Sequence, residues 1–288
     1  MKKKNMIWII LLSLVILGCS TMLIGILCSQ KLEVTSYTVP LENVQGDVRI
    51  VFLSDLHCEE YGENNLELIE AISAQKPDVI ALPGDLFNRN STDAEIDEVC
   101  RFISQLPQIA PTYFTIGNHE TDYIAENGNG ILEKVSNTGV TVLECGYEDL
   151  TVNGTAFRLG GMSELAYKGG DDKYDPAAES FLTDYCDTEL PKVMLSHRPE
   201  AFAFKHACED WDVDLILSGH THGGLIRLPV VGGVVAPIQG LFPDYYYGEY
   251  ELYDSTMIIT SGLAGYYWAP RMFNPPEICI VTITAEQN

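Results

Sequence analysis

Five of the six histidines sit in short polar stretches, each placed just after an apolar run. In order these are Ser54-Asp55-Leu56-His57, Gly117-Asn118-His119-Glu120, Ser196-His197 and Gly219-His220-Thr221-His222, with Pro83-Gly84-Asp85 between the first two. Imidazole nitrogen, carboxylate oxygen and amide oxygen are donors that divalent first-row metals accept. Asp55 and His57, two apart at a strand's end, can face one pocket. Gly84 has no side chain and lets backbone and cation come close at Asp85. Asn118 is an uncommon ligand with little other reason to sit in mid-loop. His220 and His222, two apart and flanked by glycines, can address two neighbouring cations. Any one of these residues alone is more often a hydrogen-bonded loop residue. Five such elements in this order predict a two-metal hydrolytic centre of the kind that cleaves phosphoesters.

The elements that must position these residues alternate in type. Val48 to Leu53 is a β-type run ending at Ser54-Asp55, and Leu66, Ile69 and Ile72 then recur at helical spacing before Lys76-Pro77. Val79 to Leu82 is a second buried strand, ending at Gly84-Asp85. Thr92-Asp93-Ala94-Glu95 has capping-box spacing and opens a helix to about Leu106. Thr112 to Ile116 is a third strand, ending at Gly117-Asn118. Further short strands are expected near 140–144, 157–160, 193–196 and 214–218. From about Leu225 the pattern turns β-rich, with Tyr247 to Leu252, Met257 to Thr260 and Ile278 to Ile283 as strands. Strands alternating with helices indicate mostly parallel α/β sheet, which places ligands at the carboxyl ends of its strands. A second sheet packed on the first follows from the β-rich C-terminal part.

The chain has 288 residues and a formal net charge of −24. That balance excludes non-specific nucleic-acid binding, which depends on Lys and Arg neutralising phosphates. An anionic substrate would need a local positive field, which bound metal can supply. Lys2, Lys3 and Lys4 precede Met6 to Leu27, an uncharged apolar run of 22 residues, against the roughly 20 needed to span a bilayer. The core of a signal peptide is usually shorter, about 7–15 residues. Ile16-Leu17-Gly18-Cys19 resembles a lipoprotein cleavage site only faintly. The expected organisation is a membrane anchor over 1–30, a polar tether over 31–45 and one globular domain over 46–288, held extracytoplasmically at the cell membrane by a single pass. Six cysteines outside the apolar segment are widely spaced without a CxxC pair, so buried thiols and disulfides both remain open. For Cys58, beside His57, a packing role is expected.

These motifs resemble those of the calcineurin-like metallophosphoesterase superfamily, written D-x-H, GD, GNH[DE], H and GHxH. The chain is similar in particular to membrane-associated bacterial phosphodiesterases of the YkuE/YaeI type, which share Ser54 to His57, Gly219 to Gly224 and the closing Arg271-Met272-Phe273-Asn274-Pro275-Pro276-Glu277. The likeness spans roughly residues 46–284. It implies a four-layer αββα sandwich of two mixed β-sheets flanked by helices. It further implies two divalent cations, manganese, iron or zinc. Asp55, His57, Asp85 and His222 would hold the first, and Asp85, bridging, with Asn118, His197 and His220 the second. His119 matches the proposed general acid, which protonates the leaving alkoxide after attack by a bridging hydroxide. Two such cations bring four positive charges, and Asp55 with Asp85 removes two. Hydroxide and a phosphodiester monoanion would bring the cluster to zero.

Departures from the pattern bear on the substrate. Protein phosphatases of the superfamily carry Arg where this chain has Ile116, and Asn88 replaces an Asp beside Arg89, which weakens that reading. Arg227 is the cation expected to touch substrate, although a surface role explains it equally. Tyr245, Tyr246, Tyr247, Phe242 and Trp268 could line a groove for lipid or nucleobase; sandwich packing explains them as well. The anchor favours a phospholipid headgroup or lipid-linked sugar phosphate. A phosphomonoesterase, a protein phosphatase and a non-catalytic, metal-containing surface binding protein are the alternatives. No nucleic-acid partner is expected, and no protein partner is inferable.

Overall fold

In the computed structural model, which describes residues 2–163, 176–204, 207–265 and 270–286, the strands form two six-stranded mixed sheets. They are β1 (Glu33–Leu41), β2 (Val48–Phe52), β3 (Val79–Pro83), β4 (Thr112–Thr115), β5 (Thr141–Val142), β6 (Gly146–Val152), β7 (Thr155–Met162), β8 (Lys192–Ser196) and β9 (Leu215–Ser218). The remainder are β10 (Arg227–Leu228), β11 (Gly232–Gly233), β12 (Val235–Ala236), β13 (Gly240–Leu241), β14 (Gly248–Leu252), β15 (Ser255–Ile259) and β16 (Glu277–Ala285). One sheet is ordered β1-β16-β2-β3-β4-β5 and the other β14-β15-β9-β8-β7-β6; β10-β11 and β12-β13 are small hairpins. Strands β2 to β5 run parallel, as do β7, β8, β9 and β15, while β16 is antiparallel to β2.

The alternation of side chains along each strand builds three apolar layers. Ile50 and Phe52 of β2 face Val193, Leu195, Leu215 and Leu217 of the other sheet. Val51 and Leu53 point the other way, against α2 (Leu66–Ala74), α3 (Asp93–Ile103) and the chain near α5 (Gly130–Ser136). Met194, Ile216 and Met257 cover the far face with Phe181, Leu182 and Tyr185 of α6 (Pro176–Tyr185) and Phe202 of α7 (Glu200–Ala203). The order is therefore helix, sheet, sheet, helix, the sandwich expected. The Thr92–Glu95 capping box is present at the start of α3.

The N-terminal helix α1 (Lys2–Cys28) contains a stretch, Asn5–Cys28, with mean hydropathy 2.6, long and apolar enough to cross a bilayer. Its C-terminal turn is tied to the domain. Phe273 N donates to Gly25 O (2.9 Å), and Asn274 N donates to Ser29 Oγ (2.9 Å). A β-carbon at Gly25 would lie 2.7 Å from the Phe273 ring, so the two segments are in direct contact.

The stretch 31–45, expected as a polar tether, contains instead the nine-residue β1, paired in parallel with β16. Val39 and Leu41 are buried and Tyr37 half-buried, while Ser36, Thr38 and Pro40 face outward. The period of two is present, but the small polar residues on its open face hid it.

Candidate metal centre

Every expected metal ligand, and His119, follows the carboxyl end of a parallel strand. Asp55 and His57 follow β2, Asp85 follows β3, Asn118 and His119 follow β4, His197 follows β8, and His220 and His222 follow β9. The two sheets thus bring five loops to one end of the sandwich. Asp55, His57, Asp85, His220 and His222 all have positive φ, between 47° and 68°. Such a conformation costs a non-glycine residue about 1–3 kcal/mol, and here it turns side chains of adjacent loops toward a common point. Ser54 Oγ ties the β2 and β3 loops together by donating to Pro83 O (3.1 Å) and Gly84 O (3.0 Å). Gly219 admits no side chain: a β-carbon would overlap Ser54 Oγ and stand 2.5 Å from Asp55 Oδ2.

Three groups of donor atoms each lie within 4.8 Å of one another: Asp55, His57 and His222; His57, Asp85 and His119; and Asp85, His197 and His220. His197 Nε2 is 3.1 Å from Asp85 Oδ2, and His57 Nε2 is 3.7 Å from the same oxygen. Asp55 Oδ1 is 3.7 Å from His222 Nε2 and 4.0 Å from His57 Nε2. Burial works to raise the Asp85 pKa, but His197 and then His57 beside it hold the carboxyl well below the usual range. Burial depresses His57 and His222 to about 4, and His220 lies well below its ordinary value for the same reason. Buried imidazoles kept neutral are the form in which histidine ligates metal.

The outer ring nitrogens are already engaged. Nδ1 of His57 meets Asn88 Oδ1 (3.1 Å), Nδ1 of His197 meets Pro83 O (2.8 Å), and Nδ1 of His222 meets Ala264 O (3.3 Å). With Nδ1 donating, each Nε2 presents its lone pair inward, the arrangement that metal-ligating histidines adopt. His57 Nε2, His220 Nε2 and Asn118 Oδ1 are buried with no hydrogen-bond partner among the described residues. A buried polar atom left this way is costly, and a cation between the donors removes the cost. The donor set of nitrogen and oxygen therefore fits divalent metal, with Asp85 shared between two groups.

Several supporting residues stood in the quoted motifs without a role being read for them. Glu120, fully buried, accepts from the backbone N–H groups of Asp85 (2.8 Å), Phe87 (3.0 Å) and Gly117 (2.8 Å). Burial, and then the Asp85 charge, pushes its pKa to about 7. Asn274 Nδ2 donates to His222 O (2.7 Å) and Leu225 O (3.1 Å). The half-buried Arg271 guanidinium binds the carbonyls of Ser261, Gly262, Ala264, Asn274 and Pro275. These two explain why an Arg and an Asn close the C-terminal motif. Their partners are backbone carbonyls, which no spacing rule reveals.

A cleft of about 720 Å³ opens over the cluster, lined by His57, Glu59, Asn88, Arg89, Asn90, His119, His222 and Gly265. His119 is half-buried, its ring edge-on to His57 at 4.5 Å. Its Nδ1 accepts from Arg89 N (3.3 Å), and the guanidinium Nη2 of the same Arg89 lies 3.4 Å from its Nε2. Burial, and among the nearby charges Arg89, lower its pKa, against the opposing pull of Asp85. Arg89 is held by Asp122 at 3.2 Å. Arg227 stands elsewhere: its guanidinium stacks on Tyr247 at 3.9 Å and its Nε donates to Phe273 O (3.1 Å). Arg89 is thus the cation lining the cleft among the described residues. Ile116 is buried in the helix-facing core. Tyr245 packs with Phe204 and Tyr250, Tyr246 lies on Gly233, and Phe242 is exposed; Trp268 lies outside the described residues. Cys58 Sγ contacts Ser91 Oγ (3.2 Å), and burial raises its pKa, as suits a packing thiol.

Residues 48–224 match the family model described as calcineurin-like phosphoesterase. The chain is 32% identical over 267 residues to the uncharacterized metallophosphoesterase Cj0846 of Campylobacter jejuni, covering 88% of this chain and 64% of that protein. It therefore spans just under two thirds of that relative's length. It is 31% identical over 243 residues to phosphodiesterase YaeI of Escherichia coli, covering 82% of each. Among solved structures, the sulfate thiohydrolase SoxB of Thermus thermophilus in complex with glycerol is similar in fold, with TM-score 0.50 and 12% identity over 86% of this chain and 58% of that one.

Proposed function

Because the chain belongs to the calcineurin-like phosphoesterase family, we propose that it is a membrane-anchored phosphodiesterase working with two divalent cations. Asp55, His57, Asp85 and His222 would hold one cation, and Asp85, Asn118, His197 and His220 the other. The observation that carries this reading is the inward-facing donor set around two buried carboxylates, with His57 Nε2, His220 Nε2 and Asn118 Oδ1 unmatched among the described residues. Manganese, iron or zinc would suit its all-N/O chemistry, and when bound would lower the pKa of water and offset charge at phosphorus.

The protein's own groups supply the rest. Arg89, braced by Asp122, presents a positive charge to the phosphoryl group from the cleft wall. His119, in its protonated imidazolium form, would pass a proton to the departing alkoxide from the cleft wall and return to the neutral ring. Asn88 fixes His57 at ring and backbone, its Oδ1 accepting from Nδ1 and its Nδ2 donating to His57 O (2.8 Å). The apolar Ile116 and the likeness to the Escherichia coli phosphodiesterase YaeI favour a monoanionic diester. α1 as an uncleaved anchor, with Lys2 to Lys4 on the cytoplasmic side, would hold the domain outside the cell against the bilayer. A phospholipid headgroup or lipid-linked sugar phosphate is then within reach.

Metal analysis followed by hydrolysis of bis-p-nitrophenyl phosphate and p-nitrophenyl phosphate tests the proposal. Chelated protein should regain diester hydrolysis with manganese, iron or zinc, and should favour the diester. Protein carrying two equivalents of metal that cleaves neither ester would be a binding protein instead. Asn88→Leu should weaken one metal site by about 10–100-fold, since the ring it orients is left loose. Metal titration followed by calorimetry checks this, and unchanged affinity would remove Asn88 from the site.

A further inference from the structure

Among the described residues, nine large apolar side chains outside α1 stand exposed, and five fall between 230 and 242: Val230, Val231, Ile238, Leu241 and Phe242. Ile238, Leu241 and Phe242 are 65%, 71% and 63% exposed. They belong to the β10-β11 and β12-β13 hairpins and the residues flanking them. Phe242 N donates to Val234 O (2.8 Å), and Val234 N donates to Ile226 O (2.9 Å), so the two hairpins are joined. Residues 223–243 contain no Asp or Glu, in a chain with 41 of them. Contiguous exposed apolar surface of this kind marks an interaction site.

Its position says what covers it. Arg227 N donates to Met272 O (2.9 Å), and Ile226 forms a parallel bridge with Met272. Met272 and Phe273 in turn abut Gly25, in the last turns of α1. The hairpins therefore begin where the apolar helix meets the domain. They also begin beside the metal centre, because Ile226 N and Val234 N both bond Gly224 O, two residues after His222. A face without carboxylates, with bulky apolar tips, suits the headgroup region of an anionic bilayer.

We propose that the 230–242 double hairpin is a second membrane contact, inserting Val230, Val231, Ile238, Leu241 and Phe242 into the lipid interface beside α1. The inference rests on the anchored reading of α1 and gives it a consequence. One contact leaves a tethered domain free to pivot, whereas two set the side of the domain that carries the cleft against the bilayer. The phosphoester is then taken from the membrane surface rather than from solution.

Photo-crosslinking of the full chain tests this. A benzophenone amino acid is placed singly at Leu241, Phe242, Tyr253 or Trp8, in vesicles of phosphatidylethanolamine and phosphatidylglycerol. Tyr253 is exposed in the turn between β14 and β15, at the end of that sheet opposite His220 and His222. Lipid adducts at Leu241 and Phe242 should exceed those at Tyr253 several-fold. Yields equal to Tyr253, or adducts mainly to protein, would overturn the proposal, the latter assigning the face to a protein partner. Trp8 reads the anchor separately: no lipid adduct there would refute the membrane reading of α1, whatever Phe242 shows. A Leu241→Asp, Phe242→Asp double variant should lose about tenfold in lipid adducts formed from Val231 while keeping its bis-p-nitrophenyl phosphate rate. Unchanged lipid adducts in that variant would likewise overturn it.

Discussion

Asp85→Ala is expected to strip the centre of both cations and to reduce phosphodiester turnover by about 10³-fold or more, given several kcal/mol of metal-derived stabilisation and ~1.4 kcal/mol per tenfold in rate. Asp85 is the one carboxylate common to two of the three donor groups. Its Oδ2 faces His197 and His57, and its Oδ1 accepts the His119 N–H at 2.9 Å. Loss of the charge leaves two neutral imidazoles and an amide on one side, too little to compensate a second dication. Asp85→Asn keeps the shape and the contact from His119 N while removing the charge, so it separates electrostatics from packing. Plasma emission analysis of the purified variants reads the outcome directly. Two equivalents of metal in either protein would refute the bridging role.

His119→Ala should behave differently, keeping its metal and losing rate only where the leaving group needs a proton. General acid catalysis is worth about 10²–10⁴-fold, and that loss is expected for diesters with alkyl leaving groups. With p-nitrophenolate, which departs without protonation, the rate should change little. The contrast distinguishes an acid from a ligand, a distinction that matters because His119 also lies within the group formed with His57 and Asp85. A variant that loses metal, or that slows equally on both classes of ester, would place His119 among the ligands.

The layered architecture was legible because the strands obey a period of two, with Ile50 and Phe52 toward one core and Val51 and Leu53 toward another. The same is true of the motif loops, since polar residues after apolar runs mark strand ends in parallel sheet. What stayed hidden has a physical reason in each case. β1 was masked by Ser36, Thr38 and Pro40 on its open face. The acceptors that orient His197 and His222 are the carbonyls of Pro83 and Ala264, and any residue has a carbonyl. Asn88 was visible only as a departure from a motif, yet it holds the ring of His57. Arg89 and Arg227 could not be ranked by distance along the chain, because the loop carrying Arg89 borders the cleft while Tyr247 and Phe273 engage Arg227.

The place of β16 carries a last consequence. The strand lies between β1 and β2, pairing Glu33 with Glu277 and Phe52 with Cys279. Contacts so distant along the chain are slow to form, and the first sheet cannot close until residues 277–285 have been synthesised. Until then β1 has no neighbour and β2 presents an open edge. A chain truncated before Glu277 should therefore leave both edges unpaired and be removed by surveillance proteases.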